Sequence, residues 1–311
     1  MMLTRRTLVL IAGLGLCTGT ALAQQLYIPL VSKGFQHQYW QAVKAGAEQA
    51  GKALNVRVSF EGPESEAMVD KQIDMLSAAL AKKPAAIGFA ALDSQAALPL
   101  LKKAQAAHIP IVSFDSGVDS DIPVTTAATD NRAAAALAAD KMAELIGRAG
   151  EVAIVAHDQT SRTGVDRRDG FAERIRAAYP NIHIVSIQYG GGDHLKSTEV
   201  AKSILQAYPK LKGIFGTNEG SAVGVANGVK EMRRPVVIVG YDSGKQQKDA
   251  IRSGLIAGAI TQNPVGIGYE TVAAAVKALK GEKLPKHLDT GFYWYDKSNI
   301  NDPKIAAVLY D

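Results

Sequence analysis

The stretch "AIGFAALDSQAALPLLKKAQAAHIPIVSFDSG" (86–117) aligns without a gap with "GIFGTNEGSAVGVANGVKEMRRPVVIVGYDSG" (213–244). Each copy reads as a short apolar run, a polar turn, a stretch with apolar residues three and four apart, a second apolar run and then Asp-Ser-Gly. The runs have the length and β-branched content of strands buried on both faces, and the stretch between them has helical periodicity. Two strands joined through a helix are parallel, and a parallel sheet needs helices over both faces. A unit of this kind repeated so far along one chain predicts two similar lobes.

The same alternation extends in both directions. "LYIPLV" (26–31) and "VRVSF" (56–60) precede the first copy, separated by "WQAVKAGAEQAGKAL" and followed by "EAMVDKQIDMLSAALAKK". "EVAIVA" (151–156) and "IHIVSI" (182–187) lie between the copies, each followed by a helical stretch. The fold class is therefore α/β: two similar doubly wound lobes, parallel sheets flanked by helices, joined by a multi-strand hinge with a ligand cleft between them. "VTTAATDN" (124–131) is extended, then polar, then enters an Ala-rich helix, and reads as a crossing between lobes. "KGEKLPKHLDTGFYWYDKSN" (280–299) reads as a crossing back. The expected division is 24–128 with 263–291 as the N-terminal lobe and 129–262 with 292–311 as the C-terminal lobe.

The chain opens "MMLTRRTLVLIAGLGLCTGTALAQQ". Arg5 and Arg6, the apolar run Leu8 to Leu16 and the Ala21-Leu22-Ala23 site make residues 1–23 a secretory signal peptide, and its apolar run is too short to anchor in a bilayer. Bulky Leu16 before Cys17 argues against lipid modification of that cysteine, and Sec and twin-arginine export both stay open. The single cysteine lies in this segment, so the exported chain has no disulfide and no thiol chemistry. Loss of the two arginines lowers the formal charge from +5 to +3, too small and scattered for nucleic-acid binding. The expected product is a soluble periplasmic monomer.

In a doubly wound sheet, ligands bind beyond the carboxyl ends of the strands. Those ends deliver "SKGFQHQYW" (32–40), Asp115 and Ser116, "HDQTSRTGVDRR" (157–168), Asn218 and Glu219, Asp242 and Ser243, and Gln262 and Asn263. Tyr39 and Trp40 start a helix at the mouth of the sheet and can offer flat faces to the C–H groups of a sugar, while carboxylates and amides take its hydroxyls. The same rings could pack in a core, and Asp115 and Asp242 could cap turns. As strand-end carboxylates in an open cleft, both aspartates are expected to be solvated.

These elements together resemble the type I periplasmic sugar-binding proteins of the ribose-binding family. The resemblance covers nearly all of 26–295 and is carried by "YW" (39–40), "FDSG" (114–117), "TDN" (129–131), "DRRDGF" (166–171), "FGTNEGSAVGV" (215–225), "VGYDSG" (239–244) and "AITQNP" (259–264). It implies that His37, Tyr39, Trp40, Asp115, Asn218, Asp242 and Gln262 fall on sugar-binding positions. Ribose binders carry an arginine where this chain has Ser116, another where it has Val165, and an aromatic where it has Gly192. Purine-repressor relatives use a threonine and an arginine at the positions of Thr163 and Arg167, so the guanidinium is expected from Arg167. That residue could instead brace its helix, and Arg162 is an unplaced candidate. The ligand is expected to be a small sugar or polyol other than ribose.

The six histidines lack metal-ligand spacing, "YGGGDHLKS" (189–197) lacks the ending of a phosphate loop, and no nucleophile, base and orienter occur together. No cofactor, metal or catalytic residue is expected. The resemblance implies a receptor that closes on its ligand and delivers it to the membrane permease of an ABC importer. A ligand sensor serving a chemoreceptor or kinase, and a secreted sugar-acting enzyme, are the competing readings.

Overall fold

The structure is a computed structural model that describes residues 25–310, so the expected signal peptide lies outside the described residues. The chain begins with β1 (Tyr27–Val31), α1 (Gln38–Ala53), β2 (Arg57–Glu61), α2 (Val69–Ala81), β3 (Ile87–Phe89), α3 (Leu98–Ala106), β4 (Ile111–Phe114) and β5 (Thr125–Ala128). It continues with α4 (Asn131–Leu145), β6 (Gly150–Ala156), α5 (Arg162–Ala178), β7 (Ile182–Tyr189), α6 (His194–Ala207), β8 (Leu211–Gly216), α7 (Glu219–Met232), β9 (Val237–Tyr241), α8 (Lys245–Ser253) and β10 (Gly258–Gln262). Then come α9 (Pro264–Leu279), β11 (His287–Asp289), β12 (Phe292–Asp296) and the short α10 (Pro303–Ala306).

The strands form two six-stranded sheets, ordered β2-β1-β3-β4-β5-β11 and β7-β6-β8-β9-β10-β12. The two copies of the repeat are β3-α3-β4 and β8-α7-β9, and they occupy the same two places in their sheets. All pairings are parallel except β10 with β12. The helices of the two copies differ in length: α3 carries Pro99 in its first turn, whereas α7 starts directly at the strand end with the Asn218 side chain accepting from Ser221 N at 2.9 Å.

Each sheet is covered on both faces. In the first lobe, α1 and α9 bury Trp40, Val43 and Ile267 against Ile28, Leu30 and Phe114, while Leu76 and Leu101 cover Val31, Phe89 and Ile111 on the other face. The buried positions of α1, Tyr39, Trp40, Val43, Gly46, Ala47 and Ala50, follow the helical repeat and make one apolar stripe. α1 and α9 lie so close that a β-carbon at Gly46 or Gly268 would run into the backbone of Val265 or Val43. In the second lobe, one face buries Ile154, Phe171 and Phe215 and the other Val155, Ile204, Val225 and Tyr295.

The chain passes between the sheets three times: from β5 to α4, from β10 to α9 and from β11 to β12. The crossings are tied together, with Asp130 N donating to Asp289 Oδ1 (3.3 Å) and Asn263 Nδ2 donating to Thr290 O (3.4 Å). The C-terminal segment departs from the expected division at its end. Ile300, Ile305 and Leu309 pack on the second lobe, but Tyr310 is buried with Tyr39 and Trp40 in the core of the first.

The lobes are closed on one another. Lys33 Nζ donates to Thr163 Oγ1 (3.1 Å), Gln36 Nε2 to Gly192 O (3.3 Å), Ser94 N to Thr160 O (3.1 Å) and Lys245 N to Gln38 Oε1 (2.8 Å).

Candidate functional site

Between the carboxyl ends of the two sheets lies a small cavity. The first lobe lines it with Lys33, His37, Tyr39, Trp40, Glu66 and Asp115, and the second with His157, Arg167, Asn218, Asp242 and Gln262. A larger groove on the hinge side shares Asp115 with it but is lined by solvated side chains such as Asp121 and Lys286, whereas the cavity holds converging buried charges.

The two aspartates occupy equivalent positions with the same unusual backbone. φ is 56° at Asp115 and 76° at Asp242, a left-handed conformation that aspartate tolerates better than most side chains. In this closed form each is only 5 % exposed, because the closed lobes shut water out; the expectation of solvated carboxylates concerns the open cleft. Their partners differ. Asp115 accepts one bond, from Tyr39 OH at 2.6 Å. Asp242 accepts from Gln262 Nε2 (2.7 Å) through Oδ1 and from the backbone N of Glu219 (3.0 Å) through Oδ2. It therefore fulfils the turn-bracing role and lines the cavity at once.

Tyr39 and Trp40 meet edge to face with centroids 5.0 Å apart and belong to the core of the first lobe while bordering the cavity. Their polar edges orient two acids, Tyr39 towards Asp115 and Trp40, through Nε1, towards Glu66 Oε1 (2.7 Å). Phe35 lies away from the cavity, half-buried on Phe60.

The two basic side chains lining the cavity each face a carboxylate. Lys33 stands 3.6 Å from Glu66, and Arg167 stands 4.0 Å from Asp242. Burial alone would raise the Glu66 pKa, but Lys33, His37, His157 and the Trp40 bond hold it down at about 2. Burial pushes the Asp115 carboxyl up, against the pull of Lys33 and Arg167. Arg167 lies on the Tyr241 ring, 3.8 Å from its centroid, and donates to Asn131 Oδ1 (2.7 Å) and Thr217 O (3.0 Å). Bracing and lining are thus the same residue's work. Arg162 is on the surface with Asp119 and Asp166.

His157 is held neutral, its pKa driven down to about 3 by burial despite the pull of Asp158. Both ring nitrogens meet threonine hydroxyls, Nδ1 that of Thr217 (2.8 Å) and Nε2 that of Thr163 (3.2 Å). Of the cavity-lining side chains, two carry a buried atom with no partner among the described residues, His37 Nδ1 and Gln262 Oε1.

Eight of the ten sequence candidates come together here: His37, Tyr39, Trp40, Asp115, Arg167, Asn218, Asp242 and Gln262. Ser116 and Thr163 do not line the cavity. Ser116 is fully buried behind the strand end, and Thr163 turns its hydroxyl to Lys33, Ser161 and His157. Lys33, Glu66 and His157 were not among the candidates. Lys33 sits in the same segment as the aromatic pair, His157 directly follows β6, and the strand-end rule applied to β2 leads to the loop carrying Glu66. Among the described residues no group of three His, Cys, Asp or Glu side chains is placed to hold a metal ion.

A family model described as a periplasmic binding protein domain matches residues 28–283. The D-allose-binding periplasmic protein of Escherichia coli is 28 % identical over 284 residues, covering 88 % of this chain and 90 % of that protein. Two solved structures are close throughout. One is a carbohydrate transporter solute-binding protein of Agrobacterium radiobacter in complex with D-arabinose (TM-score 0.88, 33 % identity, 92 % of this chain and 99 % of that one). The other is an ABC transporter solute-binding protein of Agrobacterium vitis bound with α-D-tagatopyranose (TM-score 0.89, 31 % identity, 92 % and 100 %). With two sheets of matching order closing on one charged cavity, the chain belongs to the periplasmic binding proteins, in the type I sugar-binding group of the ribose-binding family.

Proposed function

We propose that this protein is the exported receptor of an ABC importer, which closes the lobes 24–128 with 263–291 and 129–262 with 292–311 on one uncharged, monosaccharide-sized sugar or polyol and presents it to a membrane permease. The observation that carries this reading is the cavity's unmatched hydrogen-bonding capacity. His37 Nδ1 and Gln262 Oε1 are buried without partners among the described residues, and leaving such a group unpaired costs roughly 1–3 kcal/mol. A polyhydroxylated ligand satisfies both. Lys33 and Arg167 are each matched by a carboxylate, which leaves no surplus positive charge for a phosphate or uronate. The protein binds without turnover, acts as a monomer and resides in the periplasm after removal of residues 1–23. Support for the address comes from the leader-like N-terminus and from the relative named as periplasmic.

The test is a thermal-shift and calorimetric screen with D-allose, D-arabinose, D-tagatose and linear and cyclic polyols. A ligand at 100 times its dissociation constant adds about 2.7 kcal/mol of stability. At least one neutral sugar or polyol is expected to raise the melting temperature and to be recovered unchanged. Tighter binding of a phosphorylated or uronate analogue, or conversion to product, would overturn the reading.

A further inference from the structure

The chain's last described residue joins the two walls of the cavity from behind. Ile300, Ile305 and Leu309 hold the C-terminal segment on the second lobe, yet the Tyr310 ring is buried in the core of the first lobe, 5.9 Å from the Tyr39 ring at 67°. Its hydroxyl returns to the second lobe. It accepts from Ser243 N at 3.1 Å and donates to Glu219 Oε2 at 3.4 Å. Those contacts support both aspartates. Tyr39 donates to Asp115, Ser243 follows Asp242 in the chain, and Glu219 N donates to Asp242. Rotation of one lobe away from the other separates Tyr39 from Ser243 and Glu219, so Tyr310 must give up its ring packing or its hydroxyl bonds whenever the cleft opens.

We propose that Tyr310 is a positioning residue: a C-terminal strap that ties Tyr39 to Ser243 and Glu219, favours the closed state and lengthens the residence of the bound ligand. The residence claim rests on the sugar-binding reading; the closure claim does not. Glu219 is suited to the tie, because burial and the neighbouring Asp242 push its carboxyl up to about 8 and keep it protonated, hence uncharged, beside the tyrosine at neutral pH.

The test uses the chain 24–311, which contains no cysteine, with Met68→Cys on the first lobe and Leu195→Cys on the second, both exposed, carrying spin labels. Pulsed EPR distances are recorded without sugar for the parent, Tyr310→Phe and Tyr310→Ala. The short, closed-state distance is expected to lose population in Tyr310→Phe and to lose more in Tyr310→Ala. Dissociation of whichever of D-allose, D-arabinose or D-tagatose binds is expected to speed up roughly fivefold to a hundredfold in Tyr310→Phe, the worth of the two hydrogen bonds its hydroxyl makes. Lower melting temperatures with parental distances and parental dissociation rates would reduce Tyr310 to a core residue and overturn the proposal. Should Tyr310→Ala fail to fold, Tyr310→Phe, which keeps the ring, decides alone. Should none of the three sugars bind, the sugar reading is weakened, and the sugar-free distances still decide the strap.

Discussion

Asp115 and Asp242 end equivalent strands of the repeat, yet their alanine variants are expected to differ in stability. Asp242→Ala strips the partners from Gln262 Nε2 and Glu219 N, both buried. Two orphaned donors at roughly 1–3 kcal/mol each amount to about 2–6 kcal/mol. Relief of the buried Glu219 carboxyl, which Asp242 repels, offsets part of this and leaves a loss of about 3 kcal/mol. Asp115→Ala removes only the acceptor of Tyr39 OH, a loss of about 1 kcal/mol. Both variants place alanine at a left-handed φ, a further cost of about 1 kcal/mol that cancels in the comparison. Denaturant melts of the ligand-free proteins should therefore show Asp242→Ala less stable than Asp115→Ala by about 2 kcal/mol at equal m-value. In calorimetric titration both should lose ligand affinity on the order of a hundredfold, since charge-assisted bonds to hydroxyls are worth roughly 1.5–3 kcal/mol each. Equal stability losses, or a larger loss for Asp115→Ala, would refute this division of labour. Near-normal affinity in either variant would remove that carboxylate from the site.

Two buried carboxyls should bend the stability profile in opposite directions. Glu219, raised to about 8, keeps a proton that the unfolded chain gives up near 4.5, so stability should fall as pH rises from about 5 to 8 and flatten above; Glu66, held at about 2, adds stability above about 4.5 that is lost as pH falls towards 2. Melting temperatures from pH 2 to 9 should show both limbs in the parent, lose the alkaline limb in Glu219→Gln and weaken the acid limb in Glu66→Gln. Lys33→Met should destabilise the ligand-free protein by about 3–5 kcal/mol at neutral pH, because it leaves Glu66 buried without its cation; the double variant with Glu66→Gln should recover much of that loss in a double-mutant cycle of melts.

The architecture was legible because its signals are local. The period of apolar residues, the run lengths and the duplicated Asp-Ser-Gly ending each depend on neighbours within one βαβ unit, and a parallel sheet leaves few ways to assemble such units. Strand ends can be read the same way, and the family resemblance picks candidates among them; eight of those ten converge on one cavity. Glu66 escaped because the rule was not carried to β2. His157 and Lys33 escaped because their importance lies in partners far along the chain, Thr217 for one and Thr163 for the other. Ser116 and Thr163 sit at the right strand ends but one layer behind the lining, Ser116 fully buried and Thr163 bonded to the lining residues Lys33 and His157, a matter of side-chain direction that residue type does not report.

What the sequence by itself determined, then, is the pair of doubly wound lobes, the three places where the chain passes between them and the residue types gathered at the strand ends. Only the tertiary structure decided how two equivalent aspartates are held, since Asp242 meets Gln262 and Glu219 while Asp115 meets only Tyr39. It alone also carried Tyr310 out of the second lobe and against Tyr39, residues 271 positions apart. The physical reason is common to both: burial and hydrogen-bond pairing are set by what two distant segments bring to one point in space, and no periodicity in the chain encodes that meeting.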